Sequence, residues 1–154
     1  YYKNKRDLFD AILNSLLQQL AAMVTEEPPT TNSLEEYRLQ LQRIAESLIG
    51  IFYKDPRLAK ITFYDSLGVD PEIAQSINGI IDLFASFTEH YLENGLAKGF
   101  LRKNMNTKIA ARLITAMIFE QVKSVSIQQP SEADIALWRE EIIRFMIGGL
   151  GNQE

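Results

Sequence analysis

Apolar residues recur at helical spacing along nearly the whole chain, and no stretch of strict alternation indicates a strand. The first such run predicts a helix over residues 5–24, which stops before Pro28-Pro29. The apolar face of this helix is formed by Phe9, Ile12, Leu13, Leu16, Leu17, Leu20 and Met23. The pattern therefore predicts an all-α fold.

Capping signals mark the second and third helices. Ser33 is followed three residues later by Glu36, a spacing at which each side chain can bind backbone N–H groups at a helix start. Asp55-Pro56 combines an N-cap acid with proline at the first helical position. It opens a short third helix over about residues 56–67, which Gly68 ends.

The remaining helices are longer. Asp70-Pro71 repeats the acid-proline start and opens a helix that we expect to end near Gly99 in a left-handed cap. A fifth helix is predicted over residues 107–127. Ser131 caps a sixth helix, which is predicted to end at Gly148-Gly149. Six helices joined by short connections predict one helical domain.

Composition and charge narrow the class of protein. The chain has 154 residues, of which 46% are apolar and 23% charged, as expected for one globular domain. The absence of cysteine excludes disulfides and thiolate metal sites and fits a cytoplasmic location. The net charge of −4 disfavours broad contact with nucleic acid, although Lys3, Lys5 and Arg6 make the N-terminal end basic.

The first apolar run is not a targeting or membrane segment. It follows basic residues, as a signal peptide would, but Asp10, Asn14, Gln18 and Gln19 interrupt it. All four polar side chains would have to enter the bilayer, so we expect an amphipathic helix and no membrane partner.

The residues that enzymes use are scarce. His90 is the only histidine, which excludes metal sites built on histidine pairs, and its helical setting beside Phe87 and Tyr91 does not suggest a catalytic triad. Gly95 and Gly99 follow no predicted strand, so they do not form a phosphate-binding loop. We therefore expect no enzymatic activity, no metal and no cofactor.

Two short motifs resemble those of TetR/AcrR-family transcription regulators. Tyr2, Lys5 and Leu8 match the pattern aromatic-x-x-Lys-x-x-Leu, found where the family's recognition helix joins its regulatory domain. The turn over residues 99–106 resembles the family's link between its long pocket helix and its first dimerisation helix, with Asn106 replacing the usual Asp cap. Together with the helix order, the resemblance covers nearly the whole chain.

The resemblance implies a six-helix regulatory domain of the TetR type within a ligand-responsive regulator, a repressor. Residues 1–4 would end the helix-turn-helix head, which contacts operator DNA and is otherwise missing from this sequence. Residues 5–150 would bind ligand and dimerise, and residues 151–154 would form a tail. Tyr1 and Lys5 match positions that touch the DNA backbone in the family; the alternative is that the basic cluster is simply solvated.

The resemblance also implies a ligand pocket between the first, second, fourth and fifth helices. Its candidate residues are Leu16, Leu20, Leu48, Phe52, Phe63, Ile81, Phe84, Thr88, Tyr91, Met117 and Gln121. These apolar stripes carry no unpaired charge, so we expect a mainly apolar small-molecule effector; the alternative is ordinary core. Thr88, Tyr91 and Gln121 are polar and could bind either a ligand or a neighbouring helix.

Finally, the resemblance implies that the last two helices form a four-helix-bundle interface in a homodimer. The candidate interface residues are Ile118, Val122, Val125, Ile135, Trp138, Ile142, Phe145 and Met146. Some of these must face the domain core, and sequence alone does not sort them. The competing hypothesis is a self-sufficient all-α module that binds a ligand or a protein and never contacts DNA.

Overall fold

The computed structural model describes residues 4–60 and 71–152. Across these residues there are six helices: α1 (Lys5–Glu26), α2 (Leu34–Lys54), α3 (Pro56–Lys60), α4 (Pro71–Lys98), α5 (Thr107–Gln128) and α6 (Glu132–Leu150). The predicted all-α fold is confirmed. The predicted end of the third helix, including Gly68, lies outside the described residues, as does the cap Asp70.

Side-chain caps fix the helix starts, as the sequence predicts. Ser33 Oγ accepts a hydrogen bond from the Glu36 backbone N–H at 3.1 Å. The return bond differs from the expected one, because the Glu36 carboxylate accepts from the N–H of Asn32, at 2.8 Å, one residue before the cap. The caps of α1, α5 and α6 make the same kind of bond from the side chains of Asn4, Asn106 and Ser131.

The helix ends depend more than the helix starts on residues that are distant in the sequence. Gly99 has a φ of 81°, the left-handed conformation expected at the end of α4. The end of α6 differs from the prediction, since the helix continues through Gly149 to Leu150. Its last carbonyls are bonded by the α4–α5 connection, where Arg102 donates its backbone N–H to Leu150 O at 2.8 Å and its Nε to Gly149 O at 2.7 Å. Tertiary contacts therefore extend this helix beyond its glycines.

Helix α5 lies at the centre of the packing, against α2, α3, α4 and α6. It contributes to two apolar clusters, one around α1 and one around α6. The stretch Arg6–Glu26 is long and apolar enough to cross a membrane by length and composition alone. In this fold its apolar face is buried in the first cluster through Phe9, Ile12, Leu13, Leu16, Leu20 and Met23. About 33% of the apolar window is buried, as expected for a helix that packs one face against the domain.

Gly95 lets the α4–α5 connection approach α4 closely. A Cβ atom at this position would lie 2.4 Å from Leu101 Cδ1 and 2.5 Å from Leu101 Cγ. Leu101 cannot move aside easily, because it is fully buried and its backbone forms a bridge with Gly151. The close contact therefore requires glycine at position 95.

We predict that Gly95→Ala destabilises the fold by about 1–3 kcal/mol, the usual cost of overpacking a core. The matched control is Gly79→Ala on the same helix, where an added Cβ meets nothing within 4 Å. This control should gain about 0.5–1 kcal/mol, because alanine favours helix interiors. Denaturant unfolding measures both values, and equal effects of the two substitutions would contradict the packing assigned to Gly95.

Candidate ligand site and dimer face

Within the described part of the chain, an apolar cavity of about 40 Å³ lies at the junction of five helices. We call it the tyrosine cavity, after Tyr37 of α2 and Tyr91 of α4. Its walls are Met23, Val24, Tyr37, Leu41, Ile44, Phe84, Phe87, Thr88, Tyr91, Ile114, Ile118 and Met146. Helix α1 supplies two of these side chains, so the cavity adjoins the helix that begins nearest the N-terminus.

A second apolar cavity of about 30 Å³ lies beside it, between α2, α5 and α6. We call it the glutamine cavity. Its walls are Leu41, Ile44, Ala45, Leu48, Ile49, Ile118, Gln121, Arg139, Ile142, Ile143 and Met146. Four side chains line both cavities, namely Leu41, Ile44, Ile118 and Met146. These four form a thin apolar partition between the two spaces.

Two polar side chains of the tyrosine cavity, Thr88 and Tyr91, form hydrogen bonds within the protein. Thr88 Oγ1 donates to Phe84 O at 2.9 Å, one turn earlier on α4. The Tyr91 hydroxyl donates to the backbone carbonyl of Glu27, at the end of α1. Burial raises the pKa of Tyr91 to about 12, with the nearby Glu27 adding to the shift. Burial likewise raises the pKa of Tyr37 above its usual value, so both phenols are neutral at pH 7.

The glutamine cavity differs in its polar groups. The Gln121 side chain is almost fully buried, at 3% exposure, and its Nε2 has no hydrogen-bond partner among the described residues. Arg139 also lines this cavity, with a side chain one-quarter exposed and Nη1 at 3.5 Å from Glu46 Oε1. A buried donor without an acceptor destabilises a protein, so this amide is an exception that requires an explanation.

Helix α1 is tied to its neighbours at both ends. At its C-terminal end the Glu27 carboxylate accepts from Arg43 of α2, at 2.5 Å from Nε and 3.0 Å from Nη2. These bonds hold the pKa of Glu27 below its usual value, against the opposing effect of burial. At its N-terminal end Arg6 pairs with Glu72 at the start of α4. The Tyr91 hydroxyl, in the wall of the tyrosine cavity, also bonds to Glu27 O and so joins this cavity to the end of α1.

The predicted pocket residues divide into groups in the structure. Those that line one of the two cavities are Leu48, Phe84, Thr88, Tyr91 and Gln121. Leu16, Leu20 and Phe52 are buried in the cluster around α1, and Ile81 packs half-buried against it. Met117 instead lines a groove between α5 and α6. Phe63 lies outside the described residues.

The structure also brings α6 into the cavity walls, through Arg139, Ile142, Ile143 and Met146. The sequence prediction did not include this helix in the pocket. Helical periodicity identifies Ile142 and Met146 as apolar positions, and this signal was assigned to dimer contacts. Periodicity alone does not distinguish a residue that faces a cavity from one that faces a second chain.

The predicted interface residues fall on both sides of α5 and α6. Four of them, Val122, Val125, Ile135 and Met146, are buried in the core of the single chain and present no surface to a partner. Ile118 and Ile142 are half-buried and line the cavities. Trp138 and Phe145 are exposed, at 45% and 72%.

Further apolar side chains extend that exposed surface. Ile109, Leu113 and Leu137 are each about 60% exposed. The sequence prediction did not include them in the interface, and its helical periodicity placed Ile109 and Leu113 on the inward side of the fifth helix, which is wrong. A groove of about 450 Å³ runs between α5 and α6, lined by Ala116, Met117, Glu120, Trp138, Glu141, Ile142 and Phe145. We call this apolar surface the α5–α6 face.

The residues predicted to touch the DNA backbone are Tyr1 and Lys5. Tyr1 lies outside the described residues. Lys5 is the first residue of α1, and its side chain is likewise outside the description.

The all-α order of helices, the apolar cavities behind α5 and the exposed α5–α6 face define the class as the regulatory domain of a TetR-type transcription regulator. The family described as the C-terminal region of YsiA-like proteins, of the TetR type, matches residues 15–149. The chain belongs to this family, whose members are ligand-responsive transcription regulators and not enzymes.

Individual relatives are more distant. The fatty acid metabolism regulator protein of Bacillus subtilis (strain 168) is 19% identical over 153 residues, which cover 99% of this chain and 77% of the relative. The crystal structure of the transcriptional regulator FadR from Bacillus subtilis, in complex with stearoyl-CoA, matches with a TM-score of 0.76. The fatty acid degradation regulator FadR from Bacillus halodurans matches with a TM-score of 0.75.

Both structural matches are 19% identical in sequence and cover 97% of this chain and 78% of the relative. At this level of identity they establish the shared fold.

Proposed function

We propose that this chain is the effector-binding and dimerisation part of a transcriptional repressor, and that its effector is a long-chain acyl-CoA. The observation that carries the proposal is the pair of adjoining apolar cavities, separated by a partition of four apolar side chains. The stearoyl-CoA in the FadR relative from Bacillus subtilis supports the choice of ligand class.

The chemistry of the walls suits an acyl chain. A saturated chain needs no hydrogen-bond partner, and each methylene transferred from water contributes about 0.8 kcal/mol. In the tyrosine cavity, Thr88 and Tyr91 already bond within the protein and offer no hydroxyl proton to a ligand. This cavity therefore favours the apolar part of the effector.

The cavity volumes suggest how binding is coupled to movement. Pockets for small molecules usually measure about 300–1,000 Å³, whereas these cavities measure about 40 and 30 Å³. An acyl chain can enter only if packed side chains and helices separate. Because Met23 and Val24 of α1 line the tyrosine cavity, we infer that the effector displaces α1 and shifts the population of domain arrangements.

In the proposed regulator the DNA-binding head precedes α1, with residues 1–4 at its end. Tyr1 and Lys5 would contact operator phosphates there, which positions the head without reading sequence. Two chains would pair through their α5–α6 faces in a four-helix bundle and hold two heads at a fixed separation. A movement of α1 would then change the separation of the two heads, so that it no longer equals the spacing of the operator half-sites.

We predict that the chain binds stearoyl-CoA and that affinity depends on acyl length. Below the micelle concentration, calorimetric titration should show Kd rising roughly tenfold for every two methylenes removed. CoA without an acyl group serves as the control ligand. Equal affinity for CoA and stearoyl-CoA, or no binding of stearoyl-CoA, would contradict the proposal.

A variant pair tests where the acyl chain binds. Ile118→Trp fills the partition between the cavities and should weaken stearoyl-CoA binding by more than about tenfold. Leu39→Trp, at a position 41% exposed on α2, adds the same side chain away from the cavities and should bind normally. Circular dichroism confirms that both variants fold. Unchanged binding by Ile118→Trp would place the acyl chain elsewhere.

The dimer is tested by placing a charge on the α5–α6 face. We predict that the unmodified chain sediments as a dimer at micromolar concentration and that Phe145→Glu is monomeric, because Phe145 is 72% exposed and would become buried in the bundle. The control Leu83→Glu changes a residue 38% exposed on α4 and should remain dimeric. A monomeric unmodified chain, or a dimeric Phe145→Glu variant, would count against this interface.

A further inference from the structure

The unpartnered amide of Gln121 distinguishes the two ends of the proposed acyl site. Sequence reasoning singled out Thr88, Tyr91 and Gln121 alike as polar residues on apolar helix faces. In the structure Thr88 donates to Phe84 O and Tyr91 donates to Glu27 O. Gln121 Nε2, in a side chain only 3% exposed, has no acceptor among the described residues.

Two other buried polar atoms lack partners in the described chain, but they do not line either cavity. Gln40 uses its Nε2 to donate to Pro28 O at 2.8 Å, and its unpartnered atom is the acceptor Oε1. Thr31 Oγ1 is the other such atom. Gln121 Nε2 is thus a buried donor without a partner among the described residues, in a side chain that lines a cavity.

The surroundings of Gln121 indicate how a ligand would be oriented. Arg139 lines the same cavity and is partly exposed, paired with Glu46 across the gap between α6 and α2. Ile143 lines this cavity and also an open groove of about 530 Å³ between α2 and α6. The Ile143 side chain therefore separates the glutamine cavity from a broad groove, and the positively charged Arg139 lines the wall of the cavity.

We propose that Gln121 Nε2 donates a hydrogen bond to the thioester carbonyl oxygen of the effector. The carbonyl then lies in the glutamine cavity, the acyl chain crosses the partition into the tyrosine cavity, and the CoA moiety leaves past Arg139. This inference rests on the proposed acyl-CoA function. It adds a specificity residue, because Gln121 selects for an acceptor at the junction of chain and head as well as for chain length.

If the Gln121 amide serves ligand binding, it lowers the stability of the ligand-free protein. An unsatisfied buried donor destabilises the folded state, and a methionine of similar length needs no partner. Gln121→Met should therefore raise the midpoint of thermal unfolding without ligand while lowering the affinity for stearoyl-CoA. A purely structural glutamine would give a lower midpoint.

The direct test compares stearoyl-CoA with S-octadecyl-CoA, a thioether that keeps the chain and the head but has no carbonyl. The unmodified chain should bind the thioester roughly tenfold more tightly, the scale of one buried hydrogen bond. Gln121→Met should bind both ligands equally. The matched control Gln75→Met makes the same change at an exposed position of α4, outside the walls of both cavities, and should retain the preference.

The outcomes separate this inference from the proposed function. If the unmodified chain binds both ligands equally, or if Gln121→Met keeps the preference, the role of Gln121 is overturned while acyl-CoA remains the effector. If neither ligand binds the unmodified chain, the proposed function fails and this inference fails with it. The comparison on the unmodified chain needs no variant to fold.

Discussion

Helix α5 is apolar on two faces, and the rest of the structure depends on how those two faces are covered. One face is buried against α4 and α6, with Ala110 and Ala111 allowing a close approach of the helices. The opposite face exposes Ile109 and Leu113. Because Ile142 of α6 lines both the glutamine cavity and the groove of the α5–α6 face, one side chain separates the proposed ligand site from the proposed dimer face.

This arrangement gives a physical basis for coupling. Packed interiors do not deform continuously, so a ligand that needs space favours a discrete alternative packing. The small cavities mean that the described packing is close to its most compact form. The Glu27–Arg43 and Arg6–Glu72 pairs join α1 to α2 and α4, and in the proposed mechanism α1 moves with such a change. In the proposed mechanism, effector binding and the position of the DNA-binding head report the same conformational equilibrium.

The helices and their starts were predictable because their signals are local, as the caps Asn106 and Ser131 illustrate. Local signals do not show whether an apolar face packs against another helix of the chain or remains exposed. Val122 and Phe145 obey the same helical periodicity, yet Val122 is 1% exposed and Phe145 is 72% exposed. Likewise, sequence identified Gln121 as polar on an apolar face, but the lack of a partner depends on tertiary packing. Long-range packing therefore limits prediction of the candidate site.

The most direct measurement is the distance between the two α1 helices of the proposed dimer, with and without stearoyl-CoA. The chain contains no cysteine, so Asp10→Cys on the exposed side of α1 carries one spin label per protomer. Pulsed electron–electron double resonance then measures the distance between the two labels in three samples: buffer alone, CoA and stearoyl-CoA. The proposed mechanism predicts a shifted distance distribution with stearoyl-CoA alone. An unchanged distribution at saturating stearoyl-CoA would contradict it.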